Sequence, residues 1–197
     1  MIQASKSRTV ALFGTSADPP HSGHRGVLTW LGHHFDQVAV WASDNPFKTH
    51  QASLADRMAM LQLLVDSLQT PGVVQLYPAL SHRYTVVTIA RAQQRWPEAA
   101  LTLAVGADLV GQLPQWYRAE AIFEQVKILV FPRPGYPVNE ADLLKLKQQA
   151  KVAIAHPPQQ YDVSSTEFRQ ADSDQGIPPV IQQYIDQHQL YPCPENS

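Results

Sequence analysis

The chain holds a single cysteine, Cys193, close to its end. One thiol cannot close an intrachain disulfide and cannot build a cysteine-ligated zinc site. Long apolar runs are missing too: none approaches the roughly 20 residues of a spanning helix. The opening stretch, with Gln3, Ser5, Lys6 and Ser7, lacks the apolar core of a signal peptide. Charge imbalance is slight, 15 Lys and Arg against 17 Asp and Glu, so neither a nucleic acid nor a membrane surface is expected as a partner. No repeat, low-complexity tract or linker-like stretch interrupts the chain. What it has in quantity is apolar surface: 44% hydrophobic residues in 197, enough for a sizeable core and against disorder. The expectation is one cytoplasmic domain over residues 1–197, with a homo-oligomer compatible with it.

Strand-like and helix-like segments alternate. Val10–Phe13, Val38–Ala42, Val73–Leu76, Leu101–Val105, Val126–Phe131 and Val152–Ala155 read as five to six buried strands. Between them, helices are predicted over Gly26–His34, from a Ser53 cap to Leu68, over Tyr84–Arg95, Trp116–Phe123, and from an Asn139 cap to Ala150. A small helix capped by Ser164 or Ser165 and a last one from Pro178 to His188 follow, in a C-terminal part spanning residues 157–197. The alternation implies an α/β fold: a doubly wound, mostly parallel, Rossmann-like sheet with helices on both faces. Ligands of such sheets sit outside the carboxyl ends of the strands. The loops there are FGTSADPPHSGH, ASDNPFK, VGAD, FPRPGYP and YDVSSTEFR, which are also the chemically unusual stretches of the chain.

The first of these loops carries the chemistry most openly. An apolar strand runs into Gly14 and the small residues Thr15, Ser16 and Ala17, then Asp18-Pro19-Pro20, then His21, Gly23 and His24 at a helix start. Strand, tight turn and helix N-terminus in that order suit an anion, because the first helical N–H groups lack intrahelical partners. His21 and His24 share one face of the first turn and would point at the same anion.

HSGH after FGTSADPP resembles the (His/Thr)-x-Gly-His signature of the nucleotidyltransferase superfamily, and VSSTEFR resembles its second signature, Ile-Ser-x-Thr-x-x-Arg. HRYTVVTI, VGADLVGQLPQWYRAEAIFEQVKILVFPRPGYP and the closing Pro178–Tyr191 stretch extend the likeness over nearly the whole chain, toward the bacterial nicotinate mononucleotide adenylyltransferases. That resemblance implies adenylyl transfer from ATP to nicotinate mononucleotide in NAD biosynthesis, with Mg²⁺ held largely by phosphates and water.

It also implies roles for particular residues. His21, His24 and Arg169 would be catalytic. Gly14, Thr15, Ser16, Gly106, Asp108, Ser165 and Thr166 would hold ATP, with Asp108 by the ribose and Ser165-Thr166 on the outer phosphates. Asp18, Asn45, Lys48, Tyr84, Thr85, Trp116 and Arg133 would serve the mononucleotide, with Trp116 a platform for the ring. No protein metal site is expected. The chain departs from the usual Gly-Gly-Thr-Phe-Asp-Pro at Thr15 and Ala17, and from Pro-Pro-His-(Lys/Arg) at Phe47.

Structural roles compete at several positions. Ser165 and Thr166 suit an N-cap with or without a ligand. Asp108 could equally cap the following helix, Trp116 could be core, and Lys48 or Arg169 alone would read as solvated. The alternatives in function are a same-fold adenylyltransferase with nicotinamide mononucleotide or phosphopantetheine as acceptor, a non-catalytic nucleotide sensor, and a metal-dependent hydrolase. The last lacks the i, i+4 histidines and Glu base of an HExxH site.

Overall fold

The computed structural model describes residues 8–44, 49–132, 139–158 and 176–192. Six strands form one sheet: β1 Thr9–Thr15, β2 Gln37–Ala42, β3 Val73–Leu76, β4 Ala100–Gly106, β5 Lys127–Phe131 and β6 Val152–Ile154. Every pairing is parallel, and the order is β3-β2-β1-β4-β5-β6. This is the doubly wound arrangement expected from the alternating pattern. Its strand order reverses between β1 and β4, so a crevice opens above Thr15 and Gly106.

Among the described residues the α-helices are α1 Ser22–His34, α2 Leu54–Asp66, α3 Thr85–Arg95, α4 Ala119–Gln125, α5 Glu140–Gln149 and α6 Pro179–Gln187. Period-two alternation along the strands divides the core into two layers. Val10, Leu12, Ala39, Trp41, Leu103 and Val105 face Ile89, Ala92, Ile122, Phe123 and Leu146 of α3, α4 and α5. Ala11, Phe13, Val38, Val40 and Phe131 face Leu28 and Leu31 of α1, Met60, Leu61 and Leu64 of α2, and Ile181 and Ile185 of α6. Both faces of β1 and β2 are therefore covered, which explains their uninterrupted apolar runs.

Most predicted ends shift by a residue or two, and α2 closes at Asp66 rather than Leu68, α3 opens at Thr85 rather than Tyr84, β5 at Lys127 rather than Val126, and β6 ends at Ile154 rather than Ala155. Three further corrections are more informative. α1 begins at Ser22 rather than Gly26, because His21 acts as its N-cap. The segment around Trp116 is not helical: a 3₁₀ turn covers Leu113–Gln115, Arg118 is left-handed at φ 56°, and α4 starts only at Ala119. The last helix starts at Pro179, with Pro178 as its cap. Ser53 and Asn139 cap α2 and α5 as expected, each side chain accepting from the first-turn backbone. The expected helix at Ser164 or Ser165 lies outside the described residues. Among those described, no helix is long and apolar enough to cross a membrane.

α6 is tied to α2 by Tyr184, whose hydroxyl donates to Asp56 Oδ1 at 3.1 Å. Asp56 also accepts from Ser53 Oγ at 2.6 Å. The Ser53 bond, helped by Tyr184 and the charge of His188 and opposed by burial, holds the Asp56 carboxyl below its ordinary pKa. Burial, and then the bond to Asp56, push the Tyr184 phenol up. A lowered carboxyl pKa adds stability that is present above the unfolded value and lost as pH falls through the folded one. A raised phenol pKa adds stability that is full below the unfolded value and lost as pH rises through the folded one. Urea midpoints measured against pH should therefore fall below about pH 4 less steeply in Asp56→Asn than in the parent. Tyr184→Phe should flatten the alkaline limb above about pH 10. An unchanged acid limb in Asp56→Asn would contradict the assignment.

Candidate active site

The site is assembled at the carboxyl ends of β1, β2 and β4. Along β1 the side chains alternate, so Val10, Leu12 and Gly14 face one layer and Ala11, Phe13 and Thr15 the other. Gly14 lies beneath the indole of Trp41, where a Cβ would come within 2.6 Å of the ring. Only a glycine fits there. Thr15 points to the α1 side, and its Oγ1 lies 2.8 Å from His24 Nε2. Its carbonyl accepts from Ser43 N at 2.7 Å, continuing the pairing of β1 with β2.

The turn that follows is held from below. Ala17 is left-handed at φ 47° and fully buried, and the Asp18–Pro19 peptide is cis. The Asp18 carboxylate, 1% exposed, accepts from Gln51 N at 2.9 Å, Ala52 N at 3.1 Å and the Tyr191 hydroxyl at 2.7 Å. It thus joins three distant parts of the chain, and its bonds run into the scaffold. Arg57 of α2, only 2% exposed, donates from Nη1 to the carbonyls of Ser16 at 2.8 Å and Ser43 at 2.9 Å. Burial pulls the guanidinium pKa down, while the carboxylates of Asp18 and Asp44 act in the opposite sense.

Sequence reasoning passed over Arg57, yet a signal existed. Leu54, Arg57, Leu61 and Leu64 follow helical spacing, so Arg57 sits on the inward stripe of α2. A cation there has to find acceptors.

The helix terminus itself differs from expectation. Rather than lacking partners, Ser22 N donates to the Gly176 carbonyl at 2.7 Å and Gly23 N to His21 Nδ1 at 3.1 Å. His21 N in turn donates to His24 Nδ1 at 3.2 Å, closing a capping box built from two imidazoles. The chain's own groups satisfy the N–H groups that were expected to face an anion. What the turn offers instead is a pair of rings, centroids 4.0 Å apart.

An N–H can donate only to an unprotonated nitrogen. Nδ1 of each imidazole is therefore the acceptor, and in the neutral rings the proton sits on Nε2.

Across the crevice, Gly106 ends β4 and Asp108 lies inside the 3₁₀ turn Ala107–Leu109. The Asp108 carboxylate folds back toward Gly106, where a Cβ would collide with its Oδ1. It stands inside that turn, whose N-cap position is taken by Gly106. Tyr84 N donates to His82 Nδ1 at 3.0 Å. α3 starts at Thr85 with no side-chain cap, and in its first turn Val87 and Thr88 donate to the Tyr84 carbonyl. The Tyr84 ring packs against Tyr117, centroids 4.6 Å apart, and Arg83 stands over it at 5.0 Å. Trp116 packs against the core layer of α3 and α4, while its neighbour Tyr117 is 58% exposed. Asn45, Lys48, Arg133, Ser165, Thr166 and Arg169 lie outside the described residues.

Residues 12–171 match the profile of the cytidylyltransferase-like family. A relative from Synechocystis sp., named probable nicotinate-nucleotide adenylyltransferase, is 48% identical over 92% of this chain and 98% of its own. The chain belongs to the cytidylyltransferase-like family, among the nicotinate-nucleotide adenylyltransferases. Solved structures agree on the fold. The nicotinic acid mononucleotide adenylyltransferase of Plasmodium falciparum complexed with NaAD superposes with a TM-score of 0.79 at 17% identity, covering 93% of this chain and 97% of that one. The same protein complexed with APC gives 0.78 at 18% identity, with the same coverage. In this family setting the turn from Thr15 to His24, placed at the strand-order reversal, is the candidate active site.

Proposed function

We propose that the chain transfers the adenylyl group of ATP to nicotinate mononucleotide, giving nicotinate adenine dinucleotide and pyrophosphate. The observation that carries this reading is the paired-imidazole turn above β1 in a chain nearly half identical, over almost its full length, to a probable nicotinate-nucleotide adenylyltransferase. A 5′-phosphate oxygen of the mononucleotide attacks the α-phosphorus of ATP. One P–O bond forms, the bond to the bridging oxygen breaks, and pyrophosphate leaves with the electron pair. The nucleophile is already an anion, so no base is needed. The work is alignment and stabilisation of charge on the transferring phosphoryl group.

Neutral imidazoles with Nε2–H and the Thr15 hydroxyl are donors suited to phosphate oxygens. Mg²⁺ suits this donor set only as part of the ATP substrate. The turn presents imidazoles and hydroxyls, its one carboxylate is occupied by Gln51, Ala52 and Tyr191, and no cluster of three His, Cys, Asp or Glu stands among the described residues. Phosphates and water would hold the cation. Asp108 and Gly106 are assigned to the ribose, Ser16 and Gly14 to the nucleotide turn, and Tyr84, Thr85 and Trp116 to the acceptor. The uncapped start of α3 supports that last assignment, because its first N–H groups suit a pyridine carboxylate. Arg169, Ser165 and Thr166 on the outer phosphates, and Lys48, Asn45 and Arg133 at the acceptor, complete the proposal. The whole is read as a single cytoplasmic domain.

Acceptor choice tests the reading. With ATP and Mg²⁺, pyrophosphate release should be fast with nicotinate mononucleotide and at least about tenfold slower with the amide, which lacks the carboxylate charge. Phosphopantetheine should be inert. Turnover confined to phosphopantetheine would overturn the substrate assignment.

A further inference from the structure

His24 is the residue on which the proposed chemistry turns, and the structure shows how its ring is held. Nδ1 accepts from His21 N at 3.2 Å. With that nitrogen unprotonated, the proton of the neutral ring lies on Nε2, the atom 2.8 Å from Thr15 Oγ1. The direction follows: Nε2–H donates and the Thr15 hydroxyl accepts.

A hydroxyl has one proton to donate and two lone pairs. Accepting from His24 leaves the Thr15 proton to be given elsewhere, and hydrogen bonds in series polarise one another. Thr15 itself has little freedom. Its backbone is pinned by Ser43 N at 2.7 Å, its β-branched side chain is stiff, and strand alternation aims it at the first turn of α1.

We infer that Thr15 is the residue through which His24 reaches the phosphate, linking the imidazole to it through the chain Nε2–H, Oγ1–H, phosphate oxygen. This rests on the adenylyl-transfer reading and deepens it. His24 polarises the donor, and Thr15 fixes the ring plane and delivers the proton side of the bond to the transferring group. No covalent step is added, and no proton needs to leave either residue.

The test is a double-mutant cycle on the full chain with ATP, Mg²⁺ and nicotinate mononucleotide. Thr15→Val keeps the shape and removes the hydroxyl. It should lower kcat by about tenfold to a hundredfold, with a smaller change in either KM, and Thr15→Ser should restore most of the rate. In a His24→Ala background, Thr15→Val should cost clearly less than in the parent, because the hydroxyl has already lost the imidazole that polarises and orients it.

A Thr15→Val variant with the parent kcat would overturn the inference. So would an equal loss in both backgrounds, which would mean that Thr15 acts independently of His24. Parent turnover decides the functional reading, and the coupling decides the role of Thr15. A proton NMR measurement stands apart from activity. The His24 Nε2–H resonance should exchange slowly with water in the parent and rapidly in Thr15→Val. Equal exchange in both would contradict the bond.

Discussion

Replacing His24 by alanine should lower kcat for dinucleotide formation by about a hundred- to a thousandfold, the effect of removing one preorganised donor from a site where charge develops. The loss should fall on kcat and on kcat/KM alike, since the donor acts on the transition state more than on bound ATP. The fold should survive. His24 lies partly exposed in the first turn of α1, and its bonds to His21 N and Thr15 Oγ1 contribute to the turn. Losing each should cost about 1 kcal/mol. Circular dichroism and a urea midpoint close to the parent's would separate chemistry from folding. A folded His24→Ala variant with normal kcat would remove the paired imidazoles from the mechanism.

Arg57→Ala should have the opposite profile, acting first on stability. The guanidinium is the shared donor for the carbonyls of Ser16 and Ser43, which belong to the turns after β1 and β2. Its removal strands both acceptors, takes away the positive charge that interacts with the buried Asp18 carboxylate and leaves a void beside α2. Stranded acceptors alone cost about 1–3 kcal/mol each. A total of about 3 kcal/mol is expected, equivalent to a fall in Tm of roughly 6–12 °C for a chain of this size. Arg57→Lys should recover only part, because an ammonium lacks the fork that spans two carbonyls. Residual activity in the alanine variant should show a raised KM for ATP, as Ser16 loses its anchor. A Tm within about 2 °C of the parent would show that the turn is held without Arg57.

The strands were readable in the sequence because burial on both faces leaves continuous apolar runs, and Val10–Phe13 and Val38–Ala42 sit within β1 and β2. The ends were not. Gln37 and Ala100 join the sheet through pairing with Val10 and Thr9, a tertiary fact that leaves no mark on local hydropathy. The start of α1 was hidden for a different reason. HSGH has no apolar periodicity, and a histidine is not among the usual capping residues, so nothing local announced a cap made of two imidazoles.

The same hidden pairing made the helix terminus look open when His21 and Gly176 fill it. At Trp116 the residue type was visible, but its direction was not. The left-handed backbone at Arg118 delays α4 to Ala119, with Trp116 half-buried against the core layer and Tyr117 exposed. Long-range ties such as Tyr191 to Asp18, 173 residues apart, have no sequence signature at all.

The most direct test of adenylyl transfer follows the α-phosphate. ATP labelled at the α-phosphorus is incubated with the chain, Mg²⁺ and nicotinate mononucleotide, and the products are separated. The label should enter the dinucleotide in equal amount to the pyrophosphate released, with none appearing as free AMP. Label recovered as AMP without dinucleotide, or released phosphate in place of pyrophosphate, would contradict adenylyl transfer.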